Sequence, residues 1–391
     1  MKKRIPSLAF VFAIFLIGLF VRLAHTQFFL DYDEMIYRAL VEQLRAGHGY
    51  TLKGHVLLSN VYTDQSMYNA PYFYHPPFAI YFFSFVSLFF HELNFGLSVA
   101  QFLCFAIFYF FTLASLHRLQ LLTSPLKTAL ISMVIAFSPV FAQTNTKVWI
   151  DNPRLAFLAV HFFLTILAAQ KKSGKLYALS IFSALAVILC KVDALLALLF
   201  VQWIGYALST DLRRTKMIWS SLVLGVSALA ATAWMIGTGA LEYGSGKPSA
   251  QLLQSSNFVA FVTLDLSPNI LFLHYVQVFA TLLPSIAILW MQGWKPKLKN
   301  IETICMLWIL AFWIFYTLLA MSGFSKLLRY EILSTPAAIL LFSFALSRIS
   351  RWQRALAIIL FCAWGLEVYT GFDAISRNVL MSAPVYYKWF L

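Results

Sequence analysis

The sequence contains little charge. Only 11% of its 391 residues are Asp, Glu, Lys or Arg, whereas 61% are hydrophobic. About a quarter of the residues of a soluble globular chain are charged, so this composition excludes the soluble enzyme classes and indicates an integral membrane protein. On a soluble chain the net charge of +14 would suggest a nucleic-acid partner, but on a membrane chain basic residues report orientation. We therefore expect no nucleic-acid partner.

Cysteine is also scarce, and its pattern excludes two kinds of framework. The four cysteines lie inside apolar stretches without paired spacing, which indicates neither a disulfide framework nor a metal knuckle; they are Cys104, Cys190, Cys305 and Cys362. No Asn-x-Ser/Thr sequon occurs. The basic start and the apolar run at 7–24 resemble a signal peptide, but the run is long for one and lacks a clean cleavage site. It is interpreted as an uncleaved first span.

Eleven further apolar runs follow, and they are all candidate membrane segments. They cover roughly 76–91, 95–116, 126–142, 153–169, 176–190, 194–209, 217–240, 268–291, 301–321, 331–347 and 355–371. The run at 76–91 is short and opens with Pro76 and Pro77, so it can lie in the interface or re-enter rather than cross.

The distribution of basic residues decides whether that run crosses. If it does not cross and the N-terminus is inside, 17 of the 29 basic residues face inwards, opposed there only by Asp211 and Glu302. The outer side then holds 11 basic and 13 acidic residues, as the positive-inside rule requires.

This topology predicts an all-α polytopic membrane protein with about eleven transmembrane helices plus membrane-surface helices in the first outer loop. That loop spans 25–94, and a second outer loop spans 242–266. We expect one transmembrane domain over 1–391, no soluble C-terminal domain, and a multi-pass position in a bacterial inner (plasma) membrane.

The first outer loop begins with an amphipathic helix. Apolar residues recur there at helical spacing, which predicts a helix that starts at Asp31 or Asp33 and stops at Gly47 and Gly49; they are Ile36, Tyr37, Leu40, Val41 and Leu44. Asp33 and Glu34 lie in its first turn, where the helix dipole favours carboxylates.

Later in the loop come several tyrosines, and then His75 before two prolines. Interfacial tyrosines are typical belt residues, although their rings also suit sugar faces. A single histidine is either a hydrogen-bonded structural residue or a functional one, and both interpretations stay open here.

Taken together, the ordered motifs resemble a known superfamily. They are Asp33-Glu34 with Tyr37 and Gly47-x-Gly49-Tyr50, His75-Pro76-Pro77-Phe78, Asp151-Asn152-Pro153-x-Leu155, Lys191 in Leu-Cys-Lys-Val-Asp, and Arg329-Tyr330-x-x-x-Ser-Thr-Pro336. This set resembles the GT-C glycosyltransferases that use polyprenyl-phosphate sugars, especially families 39 and 83. Those families include the protein O-mannosyltransferases and the lipid A aminoarabinose transferase.

The resemblance implies the GT-C fold and a division of roles. Asp33 corresponds to the catalytic base, with Glu34 or Asp151 positioning the base or the acceptor. Lys191, Arg329 and Tyr330 are the expected ligands of the donor phosphate, and Tyr37, Tyr74 and His75 are expected to bind substrate. Structural alternatives stay open: pairing with Asp193 or Asp151 for Lys191, a helix start for Asp151, and an interface anchor for Arg329.

One departure from the family concerns a metal. In the aminoarabinose branch, a carboxylate precedes the residue before the two prolines and helps bind a metal, whereas this chain has Tyr74 there. The sequence therefore predicts no certain cofactor and leaves a divalent metal open.

The expected activity is transfer of one sugar, with inversion, from a polyprenyl-phosphate donor to a glycan, lipid or protein acceptor on the outer face. Two other classes stay open: a transporter or flippase of a lipid-linked sugar, and a polymerase or ligase of lipid-linked oligosaccharides. The first usually shows internal repeats, and the second would concentrate Arg and His in a late outer loop. The chain shows no clear repeat, and 242–266 contains only Lys247 and no histidine.

Overall fold

The computed structural model describes residues 8–25, 32–55, 75–138, 144–208, 213–238, 282–321, 332–350 and 355–365. In these ranges the regular secondary structure is entirely helical. The helices are α1 (Leu8–His25), α2 (Tyr32–Arg45), α3 (Phe78–Ser87), α4 (Leu93–Arg118), α5 (Pro125–Ala136), α6 (Asp151–Lys171), α7 (Gly174–Ile188), α8 (Leu195–Ala207), α9 (Arg213–Gly237), α10 (Leu282–Met291), α11 (Ile301–Met321), α12 (Thr335–Arg348) and α13 (Ala355–Gly365). A 3-10 turn at Val192–Ala194 precedes α8.

Several helices have the length and composition of membrane segments. Within the described ranges, three are long and apolar enough to cross a membrane, namely Leu93–Arg118, Asp151–Lys171 and Thr215–Gly237. The predicted total of about eleven crossings stays a prediction, and the second outer loop at 242–266 lies outside the described residues.

Helix α3 corresponds to the short apolar run that the charge argument treated as non-crossing. Its ten residues extend about 15 Å, half of the roughly 30 Å that a hydrocarbon core requires. Tyr81 and Phe85, four residues apart, are 49% and 62% exposed. A short helix with exposed rings on one face suits a position in the membrane interface.

Helix α2 ends at Arg45, close to its predicted boundary. Gly47 and Gly49 follow with φ angles of +78° and +88°, a conformation that glycine adopts without steric cost. Of the predicted apolar positions of α2, Ile36, Tyr37, Leu40 and Val41 are buried and Leu44 is half-buried. Helix α2 packs against α3. The local prediction of this helix is confirmed.

The chain forms two compact units. One comprises Arg22–Phe111 and Thr144–Lys247, and the other comprises Met1–Val21, Thr112–Gln143 and Pro248–Leu391. In the first unit α6 is the central helix, because it packs against α7, α8 and the start of α3 and is buried along most of its length. In the second unit α12 packs against α5, α10 and α11.

A buried polar cluster joins α6 to its neighbours in the first unit. His161 of α6 lies 3.0 Å from the Ser180 carbonyl through Nδ1 and 2.9 Å from the Gln202 amide nitrogen through Nε2. A carbonyl oxygen can only accept, so Nδ1 carries the proton and Nε2 accepts from Gln202. Gln202 Oε1 in turn accepts from Ser220 Oγ of α9 at 3.1 Å. One hydrogen-bonded cluster therefore connects four helices.

Polar contacts also connect helices of the second unit. The Lys127 ammonium donates to the carbonyls of Ser347 and Ile349 at 3.0 and 2.9 Å, which satisfies acceptors at the C-terminal end of α12. Arg348 of α12 pairs with Glu302 of α11. All four cysteines are free, as their spacing predicted.

Candidate active site

Asp33 and Glu34 occupy the first turn of α2, but their environments differ. Asp33 is half-buried, whereas Glu34 is only 3% exposed. Adjacent residues on a helix point about 100° apart, so one carboxylate can face inwards while its neighbour keeps contact with the surface. Both lie where the helix dipole favours negative charge.

The Glu34 carboxylate binds a segment from a distant part of the sequence. One oxygen accepts the Val148 backbone N–H at 2.8 Å, and the other lies 3.3 Å from the Lys147 ammonium. Both side chains of this ion pair are more than nine-tenths buried. Glu34 therefore fastens the start of α2, and with it Asp33, to the segment that precedes α6.

The segment at 144–150 is itself almost completely buried, with only Val148 half-buried. Asn152, in the first turn of α6, supplies hydrogen bonds to two backbone carbonyls of this segment. Its side-chain amide donates to the carbonyls of Thr144 and Lys147, each at 2.8 Å. A buried irregular segment is expected to find such partners. Asn152 thus fixes this loop against the helix that follows it.

Arg22, near the end of α1, holds the same segment. Its Nε donates to Asn145 Oδ1 at 3.1 Å, and its guanidinium lies 3.7 Å from the centre of the Phe105 ring. Asn145 also donates to the Gln101 carbonyl of α4 at 2.9 Å. The loop before α6 is therefore anchored to α1, α2 and α4.

Asp151 and Lys191 belong to a chain of alternating charges. Arg154 donates to Asp151 with one guanidinium nitrogen and to Asp193 with another. The second oxygen of Asp193 lies 3.9 Å from the Lys191 ammonium. The pairing of Lys191 with Asp193, one of the structural alternatives for this lysine, is present. Arg154 thereby connects the start of α6 to the linker that carries Lys191.

His75 and Tyr37 lie near each other beside that linker. The ring centres of Tyr37 and His75 are 6.4 Å apart, and the Tyr50 hydroxyl donates to the His75 carbonyl at 2.8 Å. The backbone N–H of Phe78, the first residue of α3, donates to the Leu189 carbonyl at 2.9 Å. The histidine-proline motif is thus held against α2 on one side and the Lys191 linker on the other.

Six of the nine predicted site residues lie within the described ranges and in the same compact unit: Asp33, Glu34, Tyr37, His75, Asp151 and Lys191. These residues are connected to one another through the hydrogen bonds, ion pairs and ring contacts described above. The other three, Tyr74, Arg329 and Tyr330, lie outside the described residues.

Two charged residues of this site were not predicted from the sequence. Arg154 occupied an unspecified position of the Asp151 motif, and Lys147 lies in the loop before it. Arg154 carried a signal that could have found it, because a cation at the start of an apolar span is costly and a spacing of three residues from Asp151 puts both on one helix face. For Lys147 the sequence offers no comparable signal.

The described residues contain no group of three or more His, Cys, Asp or Glu side chains that could hold a metal ion.

Comparison with known proteins gives one family match. Residues 74–236 match the family described as dolichyl-phosphate-mannose-protein mannosyltransferase. The matched range contains the histidine-proline motif, Asp151, Arg154 and Lys191. No curated protein matches the chain.

Solved structures share the fold at low sequence identity. ArnT from Cupriavidus metallidurans bound to undecaprenyl phosphate aligns with a TM-score of 0.58 and 14% identity, over 97% of this chain and 74% of ArnT. Its apo state aligns at 0.57 and 14%, over 97% and 78%. The oligosaccharyltransferase AglB from Archaeoglobus fulgidus, in complex with an inhibitory peptide and a dolichol-phosphate, aligns at 0.51 and 11%, over 94% of this chain and 55% of AglB.

These comparisons confirm the predicted fold class, since both ArnT and AglB are membrane proteins with the GT-C fold. The chain spans about three quarters of ArnT and just over half of AglB. The family match over residues 74–236 and the shared GT-C fold together indicate a membrane glycosyltransferase.

Proposed function

We propose that the protein transfers a monosaccharide, with inversion, from a polyprenyl-phosphate donor to an acceptor on the outer face of the membrane. The observation that carries this proposal is the placement of Asp33. Asp33 is a half-buried carboxylate in the first turn of α2. The next residue, Glu34, is fixed by the Val148 N–H and the Lys147 ammonium. A general base needs this combination of access and fixed position.

The chemistry is a single displacement. The Asp33 carboxylate takes the proton of the acceptor hydroxyl as its oxygen attacks the anomeric carbon, and the bond from that carbon to the phosphate oxygen breaks. The acceptor approaches opposite the leaving phosphate, so the anomeric configuration inverts. Polyprenyl phosphate leaves with the electron pair of the broken bond.

Cations stabilise the charge that develops on the leaving phosphate. We assign this role to Lys191 and Arg329, and we assign to the neutral Tyr330 hydroxyl a hydrogen bond to the same phosphate. Two observations support a lipid-linked donor: ArnT is known in a form bound to undecaprenyl phosphate, and AglB in complex with a dolichol-phosphate. A polyprenyl tail stays in the bilayer, which explains why this reaction belongs to a membrane protein.

Residues in and around the histidine-proline motif orient the substrate in this proposal. We assign sugar or acceptor contacts to Tyr37, Tyr74 and His75, because aromatic faces suit sugar rings and imidazole supplies hydrogen bonds. Asp151 is engaged by Arg154, which favours a positioning role over direct proton transfer. The acceptor is a glycan, a lipid or a protein.

The orientation of the active site follows from the charge distribution. If the basic loops are cytoplasmic, the segments carrying Asp33, His75 and Asp151 face outwards. We therefore propose a bacterial plasma-membrane location with an outward-facing site, where glycans of the cell envelope are accessible.

A transfer assay with purified protein tests this function. The wild-type protein, given a panel of polyprenyl-phosphate-linked monosaccharides and envelope acceptors, should transfer at least one sugar. Asp33→Asn keeps the shape of the side chain but cannot accept the proton, and kcat should fall about 10²- to 10⁴-fold.

Glu42→Gln is the matched control on the same helix. Glu42 pairs with Arg38 and His55 at the surface, away from the proposed base, so its replacement should leave kcat within about twofold of wild type. Full activity of Asp33→Asn would refute the assigned base. Flipping of lipid-linked sugar in proteoliposomes without any transfer would refute the enzyme activity.

A further inference from the structure

Arg154 has no assigned role in the proposed reaction, and its environment is unusual. Its side chain is completely buried, and its guanidinium binds two carboxylates, Asp151 and Asp193. A planar guanidinium can hold two carboxylates at once because its donors diverge in a fixed fork. Arg154 is therefore shared between the first turn of α6 and the 3-10 turn at Val192–Ala194.

The linker that carries Lys191 depends on two contacts with other elements. Its backbone is extended at Lys191, with φ −164° and ψ 133°. On one side Phe78 N–H binds the Leu189 carbonyl, and on the other Arg154 binds Asp193. Lys191 lies between these two anchors, so the direction of its side chain depends on both.

Arg154 also determines how charge is divided around Lys191. It occupies Oδ1 of Asp193, while the Lys191 ammonium lies 3.9 Å from Oδ2. That separation is at the long end for an ion pair, and the Lys191 side chain is 18% exposed. Without the guanidinium, two largely buried carboxylates would attract the same ammonium and hold it more tightly.

We propose that Arg154 is a positioning residue that neutralises Asp151 and Asp193 and so leaves the Lys191 ammonium available to the phosphate of the lipid donor. This inference rests on the proposed function, in which Lys191 binds that phosphate. Arg154 acts through Lys191, because its two terminal guanidinium nitrogens bind the two carboxylates.

Binding of undecaprenyl phosphate, titrated into the detergent-solubilised full chain and followed by native mass spectrometry, tests this role without turnover. Arg154→Met removes the charge that neutralises the two carboxylates, so Kd should rise about tenfold or more. A tenfold rise corresponds to about 1.4 kcal/mol of binding free energy. Arg154→Lys keeps one charge but cannot hold both carboxylates, so its Kd should lie between those of wild type and Arg154→Met.

A double variant distinguishes an electrostatic role of Arg154 from a packing role. In Arg154→Met/Asp193→Asn the carboxylate nearest Lys191 is also neutral, so Kd should return to within about threefold of wild type. If Arg154 only supported packing, the double variant would bind as weakly as Arg154→Met, and that result would overturn the proposal.

Arg348→Met is the matched control for loss of stability. Arg348 also pairs with a largely buried carboxylate, Glu302, but in the other compact unit. Its replacement should lower the unfolding temperature and leave Kd unchanged. An equal rise of Kd in Arg348→Met and Arg154→Met would mean that destabilisation alone weakens binding, which also contradicts the proposal.

Lys191→Met distinguishes the two possible failures. If Lys191→Met binds undecaprenyl phosphate as wild type does, the assignment of Lys191 as a phosphate ligand in the proposed function is wrong. The proposed role of Arg154, which acts through Lys191, is then also wrong. If Lys191→Met weakens binding and Arg154→Met does not, only the role of Arg154 is wrong.

Discussion

Removing one partner of the ion pair between Glu34 and Lys147 should destabilise the protein strongly. Both side chains are almost completely buried, at 4% and 7% exposure, and their charges lie 3.3 Å apart. At an effective dielectric constant of about 20, the gross attraction is roughly 5 kcal/mol. Because desolvation offsets much of this attraction, the informative quantity is the cost of removing one partner, about 3–5 kcal/mol for a buried pair.

Glu34→Gln should therefore lower the free energy of unfolding by about 3 kcal/mol. The glutamine oxygen still accepts the Val148 N–H, but the Lys147 ammonium loses a buried carboxylate. Glu34→Gln/Lys147→Met should cost at least about 2 kcal/mol less than the sum of the two single variants, because it removes both charges. Unfolding in mixed micelles with an increasing mole fraction of SDS measures these differences.

Glu42→Gln provides the comparison on the same helix. Its ion pair with Arg38 has both side chains 31% exposed, so its loss should cost no more than about 1 kcal/mol. If the Glu34 and Lys147 variants are additive within about 0.5 kcal/mol, the two charges do not interact as the structure indicates, and the reasoning about the anchored start of α2 is refuted.

Two further predictions concern packing within the membrane region. Gly96→Ala would put its Cβ 2.8 Å from the backbone Cα of Ser87, so it should destabilise by about 1–3 kcal/mol despite the better helix propensity of alanine. Gly225→Ala, with open space around it, should be neutral or slightly stabilising, and thermal unfolding measures both variants. Gln202→Leu removes the donor to His161 Nε2 and should cost about 1–3 kcal/mol; an unchanged unfolding temperature would contradict the assigned hydrogen bonds.

The features predicted well from the sequence are those set by nearby residues. Helix α2 was predicted with its buried stripe, because apolar spacing, first-turn carboxylates and Gly47 with Gly49 are all local signals. The short run that contains α3 was singled out by its length and by Pro76 and Pro77, which are also local signals. Its assignment as non-crossing used the distribution of basic residues over the whole chain and stays a prediction.

The connections within the site depend on residues far apart in the chain. Glu34 and Val148 are 114 positions apart, and Arg154 and Asp193 are 39 positions apart. No periodicity or motif spacing links such pairs in a single sequence. The prediction of Asp33, Asp151 and Lys191 as site residues came from resemblance, whereas the contacts of Glu34 with Val148 and of Arg154 with Asp193 required coordinates.

The long-range anchors of the 144–150 segment also have a consequence for biosynthesis. Arg22 and Glu34 reach their partners only after residues 145 and 148 have been made, 123 and 114 positions later. At about 5–20 residues per second, the ribosome needs roughly 6–23 s to add 114 residues. During that interval Arg22 still lacks Asn145, and the start of α2 lacks its anchor. Asp33, the proposed base, is therefore translated well before the part of the chain that fixes it in place.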